Sequence, residues 1–457
     1  MKWRIRVGKS IVQGLPPMKR RVEVPEKRAR VSIVDTKDDL QRAVSSVMDS
    51  DGVAETIRAK PDVYIKVNAI DAKPYVYTST EVTAAVIDYC RVAGAKKIYL
   101  MENATQGNFT RLVFYVAGFE KVAREHGADT LYLDEGKQVP IKLPHMGYEV
   151  RVSKHVKRII DDRDSVTYIN VPRLKTHSMA VLTAGIKNQY GLIMHKDRAS
   201  DHNYRLGEKL ADIYRVIQPD YTLVDGTVAT IYGHYPPLAL HKECLVPFDI
   251  LVAGKDTLAV DVVCARIFGY TVDEVGHLRE ARDMGLGVGD LDKIGVEGEP
   301  LSRFDKKYPY SLYDDFPPDV EVIRGKERNC IEGCDANTMA ILQGNYLDYG
   351  GKGGFTIVMG KGLDPAEIDR IQGRVFIAGG CAYDEVADRL IKKLGKKNVN
   401  YTRECNDLAG AIGGLNQFME VSPFKMVPVN PLVSAWMLIM ALANRTTARI
   451  PPLLRKY

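Results

Sequence analysis

Three of the chain's nine histidines, His177, His195 and His202, fall in one stretch together with Lys175, Lys187 and Lys196. Lysine neutralises carboxylate and phosphate groups, and histidine exchanges protons near neutral pH. The stretch opens with Val166–Val171, β-branched and aromatic like a short buried strand, and Pro172 ends that run because it has no amide proton for a ladder. Ser178 is placed to cap a helix whose apolar residues Val181, Leu182, Ile186 and Leu192 recur near helical spacing. A turn carrying Lys175 and His177 beside the free amides of such a helix would hold an anion, since dipole and cations favour the same charge. Lys175 and Lys187 are the expected anion ligands, and His177 or His195 the expected proton carrier. Asp225, at the end of a later apolar run, would orient the histidine or hold a cation. Capping a helix is the plainer alternative for Asp225, and a solvated basic loop beside a core helix is the plainer alternative for the whole stretch.

The second set of reactive residues is sulfur. Of seven cysteines, Cys330, Cys334, Cys381 and Cys405 fall in one region of glycine-rich turns and strand ends. Loops at strand ends can converge on one point, and four thiolates in a reducing compartment point to metal rather than disulfides. Only Cys330 and Cys334 form a short pair, whereas zinc sites usually show two, so the spacing favours an iron–sulfur cluster, 4Fe-4S in type, with zinc as the alternative. Unlinked structural thiols are the plain alternative. Cys90, Cys244 and Cys264 lie among apolar residues and belong to the core.

Several segments together resemble one known family. Asn170-Val-Pro-Arg-Leu-Lys-Thr-His177, then Thr183-Ala-Gly-Ile-Lys-Asn188 and Gly191, is similar to the KxKTH…TGxxKNxxG core of domain-of-unknown-function family 362. Lys66-Val-Asn68, Thr78-Ser-Thr-Glu81, Pro219-Asp220 with Val224-Asp225-Gly226, and Gly254-Lys-Asp256 with Ala259-Val-Asp261 match further pieces in the family's order. Val67 and Thr257 replace prolines of that pattern. The resemblance runs from about Val31 to Glu297 and implies an uncharacterised, often iron–sulfur-associated protein without a settled reaction.

Positioning these residues requires a scaffold, and strands alternating with helices specify it. Strands are expected at 29–34, 62–70, 97–102, 130–133, 221–226 and 248–254, and helices at 37–48, 80–93, 109–126, 150–162 and 205–217. The fold class is α/β, with mostly parallel sheets covered by helices. Ligands of such sheets sit beyond the carboxyl ends of strands, which would place Lys66, Asn68, Glu102, Asn103, Lys175, His177, Asp225 and Asp256 on one rim. The chain divides into a basic arm (1–30), the large α/β domain (31–298), a linker (299–319), a smaller α/β domain with the cysteines (320–430) and an apolar helix and tail (431–457).

Composition bounds the function. The chain has 457 residues, 45% hydrophobic and 27% charged, as in ordinary globular proteins. No apolar run reaches bilayer length and no secretory leader is evident, so a cytoplasmic protein is expected. Net charge is +6, but residues 1–30 hold ten Lys or Arg against Glu23 and Glu26, leaving the rest nearly neutral. That arm suits a partner subunit or an acidic surface better than nucleic acid, for which no module is present. There is no GxGxxG after a strand, no phosphate loop and no GxSxG elbow. The expected function is an iron–sulfur enzyme, an oxidoreductase or lyase, acting on an anionic small molecule, as a homo-oligomer with a redox partner protein. The alternatives are a non-catalytic cluster or zinc module that binds a partner, and a racemase or isomerase that moves a proton on a hydroxy acid.

Overall fold

The computed structural model of the chain describes residues 29–199, 205–426 and 429–450. His202 and nearly all of the basic arm lie outside them. Two sheets organise the rest, the larger mostly parallel and the smaller wholly so. The large domain contributes β1 (Ala29–Asp35), β2 (Asp62–Val67), β3 (Lys97–Glu102), β4 (Asp129–Tyr132), a separate hairpin of β5 (Gln138–Leu143) and β6 (Tyr148–Ser153), β7 (Val166–Val171), β8 (Arg173–His177), β9 (Val181–Thr183), β10 (Tyr221–Thr230), β11 (Leu245–Val246), β12 (Ile250–Gly254) and β13 (Ile294–Gly298). The main path of its sheet runs β13-β1-β12-β10-β7-β2-β3-β4, with β8, β9 and β11 attached at β10. Every residue of β7 is buried, as expected of a parallel strand covered on both faces. Its side chains alternate between two cores: Val166 and Tyr168 face one layer of helices, Ile169 and Val171 the other.

Four features depart from the sequence expectations. No helix starts at Ser178; Arg173–His177 and Val181–Thr183 pair as a hairpin, and the helix is a single turn, Gly185–Asn188. Apolar residues shut in on both sides of a hairpin carry no period of two, so their spacing imitated a helix. The stretch 109–126 is two helices, Thr110–Ala117 and Phe119–His126, divided at Gly118, whose φ is +88°. Residues 148–153 form a strand before helix Lys154–Asp161. Finally, β12 runs antiparallel to β10 and β1, so its carboxyl end faces away from the rim. Asp256 therefore lies at the opposite edge, where it accepts from Ala259 N at the start of helix Thr257–Ile267 and from Val288 N.

The smaller sheet is wholly parallel and in sequence order: β14 (Val320–Arg324), β15 (Phe355–Met359), β16 (Arg374–Ala378) and β17 (Val399–Tyr401). Helices Pro365–Arg370 and Gly380–Leu394 cover one face, Ala336–Tyr349 and Leu408–Phe418 the other. The connecting segment is strapped to the large domain by aromatic edges, Tyr308 on Phe268 and Tyr313 on Tyr232. The domains are joined by a shielded ion pair of 2.6 Å between Lys73 and Asp348. Helix Pro431–Ala443 crosses back to pack on Thr110–Ala117. Among the described residues no helix is long and apolar enough to cross a membrane.

Candidate functional site

The carboxyl ends of β2, β3 and β7 present Lys66, Asn68, Glu102, Asn103 and Asn170, and the turn Gly185–Asn188 closes over them. Lys66 Nζ, fully buried, contacts both Glu102 oxygens at 2.7 and 2.8 Å and donates to Val67 O and Asn188 Oδ1. Glu102 also accepts from the amides of Ala69 and Asn103. Asn188 in turn accepts from Asn68 and donates to Asn170, at 3.1 and 2.8 Å. Gly191 is required beside this pair: a Cβ there would lie 2.5 Å from Glu102 Oε1 and 3.0 Å from Lys66 Nζ. The short segments that looked separate in the sequence thus form one hydrogen-bonded network.

Each expected catalytic residue has a definite place in or beside it. Lys175 is buried on β8 and donates to Val76 O at 2.8 Å; desolvation, then the nearby Arg173 and Lys187 charges, push its pKa well below the ordinary lysine value. Lys187 is partly accessible, with Nζ 5.0 Å from the centre of the Tyr190 ring, and burial together with Arg198 and Lys66 brings its pKa to about 7. His177 accepts at Nδ1 from the amides of Met179 and Ala180, which fixes its ring proton on Nε2, and stacks on His234 at 3.8 Å. His195 is buried, donates from Nε2 to Ala104 O at 2.7 Å and is pushed down to about 3 by burial. It is a neutral brace for the 104 loop. Asp225 pairs with Arg173 at 3.0 Å and accepts from Ser79 N, Thr227 N and Thr227 Oγ1. Through the bond from Ser79 N it anchors the residue that caps helix Thr80–Val92.

The helix start expected at Ser178 is absent, and the amides at the start of the observed helical turn are already taken. Gly185 N and Ile186 N donate to the Asp261 carboxylate at 2.6 and 2.8 Å, and burial raises that carboxyl to about 7 against their pull. Positive charge around the network is therefore left to side chains. Lys66, Lys187 and Arg198 interact with one carboxylate, Glu102. Several shielded polar atoms here have no hydrogen-bond partner among the described residues: Asn68 Oδ1, Asn103 Oδ1, Thr183 Oγ1 and Arg198 Nε. Sequence reasoning missed Arg198 and Tyr190, because a charge in a helical turn and a tyrosine in a core run look ordinary until the fold turns them inward. It also passed over His234, which stacks on His177.

The four cysteines lie toward one end of the smaller sheet. Cys330 precedes and Cys334 lies within a π-helical turn, Ile331–Asp335; Cys381 follows β16 and Cys405 follows β17. Cys334 and Cys405 hydrogen-bond to each other, with Cys330 within electrostatic reach; that bond and burial raise the Cys334 thiol. Gly379, at φ +88°, lies against Cys334, where a Cβ would come within 2.7 Å of Sγ, and Gly380 lies against the Arg403 carbonyl, which brings Cys381 to the same end. A small cavity there is lined by Cys334, Thr338, Gly379, Thr402, Asn406 and Asp407. Among the described residues no three His, Cys, Asp or Glu side chains are already gathered on one metal-ion position. The cysteine end also reaches the large domain, since Cys405 interacts electrostatically with Tyr190, and Glu404 with Lys196.

The lineage of this arrangement is partly known. A thylakoid-associated protein of Synechocystis sp. is 30% identical over 139 residues, 29% of this chain and 41% of the relative. The match thus spans well under half the length of that relative. A solved structure of a Thermotoga maritima protein covers 83% of both chains at 10% identity, with a TM-score of 0.31. The family model described as Domain of unknown function (DUF362) matches residues 63–266, from β2 to the last turn of helix Thr257–Ile267. Those residues, over which the chain matches the DUF362 model, hold the entire Lys66–Glu102–Asn188 network.

Proposed function

We propose that the chain is an iron–sulfur enzyme whose large domain binds a small carboxylate or phosphate compound beside Lys187. The observation that carries this reading is the group of basic side chains, Lys66, Lys187 and Arg198, around the single carboxylate of Glu102, with Cys405 of the smaller domain within electrostatic reach of the adjoining Tyr190. A bound anion would balance that charge and give donors such as Arg198 Nε a partner. Lys187, near half-protonation at neutral pH, is suited to take or return a proton at the substrate, and His177 can donate from Nε2. Lys175 would regain its charge when an anion arrives.

The residues that would hold the cluster are Cys330, Cys334, Cys381 and Cys405. Their thiols suit such a group in donor type, with zinc as the alternative metal, and the missing side chain of Gly379 leaves clear the space beside Cys334 Sγ that a Cβ would fill. When bound, a cluster would supply an electron or a Lewis-acidic iron, and a redox partner protein would exchange the electron. The test is anaerobic purification followed by iron, zinc and acid-labile sulfide analysis and visible spectroscopy. Iron with matching sulfide, lost in Cys405→Ala, is the expected result; zinc, or no metal, sinks the cluster. Retention of inorganic phosphate or lactate by the native chain but not by Lys187→Met tests the pocket separately.

A second reading is favoured by the Lys187 value itself: a racemase or isomerase would need that proton carrier and no electron transfer. Exchange of a hydroxy acid's α-hydrogen with solvent deuterium, without net oxidation, would distinguish it.

A further inference from the structure

Helix Pro431–Ala443 carries no charged residue and uses only one side to hold the body. Met437, Leu438 and Ala441 pack with Phe109, Leu112 and Val116, and the chain just beyond is fixed by Thr446 Oγ1 and Thr447 N, which donate to Asp134. The other side is exposed among the described residues. Leu432, Trp436, Ile439 and Leu442 are 80, 62, 58 and 61% exposed, and steps of four and three residues put them on one stripe. Phe424, 68% exposed in the preceding turn, adds a further large apolar side chain next to the helix. Lys425 and Arg445 are exposed just before and just after it. An apolar stripe of this kind, rigidly held and bordered by cations, is a contact surface.

We propose that this face docks on an anionic lipid surface, with the helix lying flat in the headgroup region. A helix of 13 residues is about 20 Å long, too short to cross a bilayer but long enough to bury one apolar face in the interface. Tryptophan settles at that depth, and Lys425 and Arg445 would meet lipid phosphates. A second copy of the chain is a poorer occupant. Two such stripes face to face would bury roughly 400 Å², from a helix of this length and about 10 Å width, well short of the roughly 1,200 Å² at which stable interfaces begin. The helix also has no acidic residue to meet a partner's Lys425 or Arg445.

The experiment uses the full chain and sedimentation with vesicles of equimolar phosphatidylcholine and phosphatidylglycerol. Because the chain has two tryptophans, a Trp3→Phe variant makes Trp436 the sole reporter. Binding is expected with a blue shift of Trp436 emission, and pure phosphatidylcholine should bind far less. Paired changes Trp436→Ser and Ile439→Ser should abolish binding, while Arg445→Glu should weaken it about fivefold or more. All three sites are exposed, so unchanged circular dichroism will show that folding is intact. Three outcomes overturn the proposal: no sedimentation with anionic vesicles, undiminished binding in the paired variant, which would move the contact elsewhere, or a concentration-dependent dimer that the paired variant dissolves.

Discussion

At neutral pH the amine and ammonium forms of Lys187 are close to evenly populated, because burial and the Arg198 and Lys66 charges bring its pKa to about 7. The unfolded chain releases the same proton only near the ordinary lysine value of 10.5. Between those two pH values the unfolded state holds more protons, so this residue makes the native state more stable as pH rises; below about 7 both states are charged and the burial penalty is fully felt. Lys187→Met is therefore expected to stabilise the chain most on the acid side and to flatten its stability profile from about pH 6 to about pH 9, read from denaturant midpoints. An unchanged slope in the variant would mean that the lysine is solvated. At this scale the sequence was informative about residue types and poor about roles. Lys175 and Lys187 stand out as candidate anion ligands from type and position alone. The role of Asp225 depended on Arg173 arriving across the sheet, and that of His195 on a carbonyl 91 residues away in sequence. Such partners are not local in the chain.

Among the elements, the tightest constraint is the turn after Asn188, where Gly191 lets the backbone approach the Lys66–Glu102 pair. Gly191→Ala is expected to cost about 1–3 kcal/mol in chemical denaturation, as overpacking against groups that cannot move without breaking the pair. A loss within error of zero would show that the pair yields. The alternation of strand and helix was legible because parallel strands buried on both faces appear as continuous apolar runs bounded by glycine and polar turns. The hairpin at 173–183 was not, for the same reason: a strand without exposed residues has no alternation to display. The direction of β12 was equally hidden, since nothing within Ile250–Gly254 records whether it pairs parallel or antiparallel, and that one reversal moved Asp256 off the rim.

Across the whole molecule, the two domains are coupled through Lys73 and Asp348, which bond at 2.6 Å with almost no exposure to water. Asp348 also accepts from Ala239 N, so it holds two separate segments of the large domain. Asp348→Ala is expected to destabilise the chain by about 3–5 kcal/mol, since it leaves a shielded cation without its partner. Faster proteolysis within 299–319 should accompany it as the domains part. Equal cleavage rates in the variant and the native chain would show that aromatic strapping alone keeps them together. That Cys330, Cys334, Cys381 and Cys405 lie on segments following strands of a small parallel sheet was legible in the sequence. What was not legible was that Cys405 would come within electrostatic reach of Tyr190, because docking between domains leaves no periodic trace.

The placement of β1 bears on how the chain is made. Among the described residues it is the first strand to leave the ribosome, yet its ladders are to β12 and β13: Asp35 must wait for Ile250, and Ala29 for Ile294. Until then its amides have no ladder to join, and a nascent chain in that condition is open to pairing with other nascent chains. Closure of the large sheet is thus a late event in biosynthesis, and truncation anywhere before β13 leaves β1 without its full complement of neighbours.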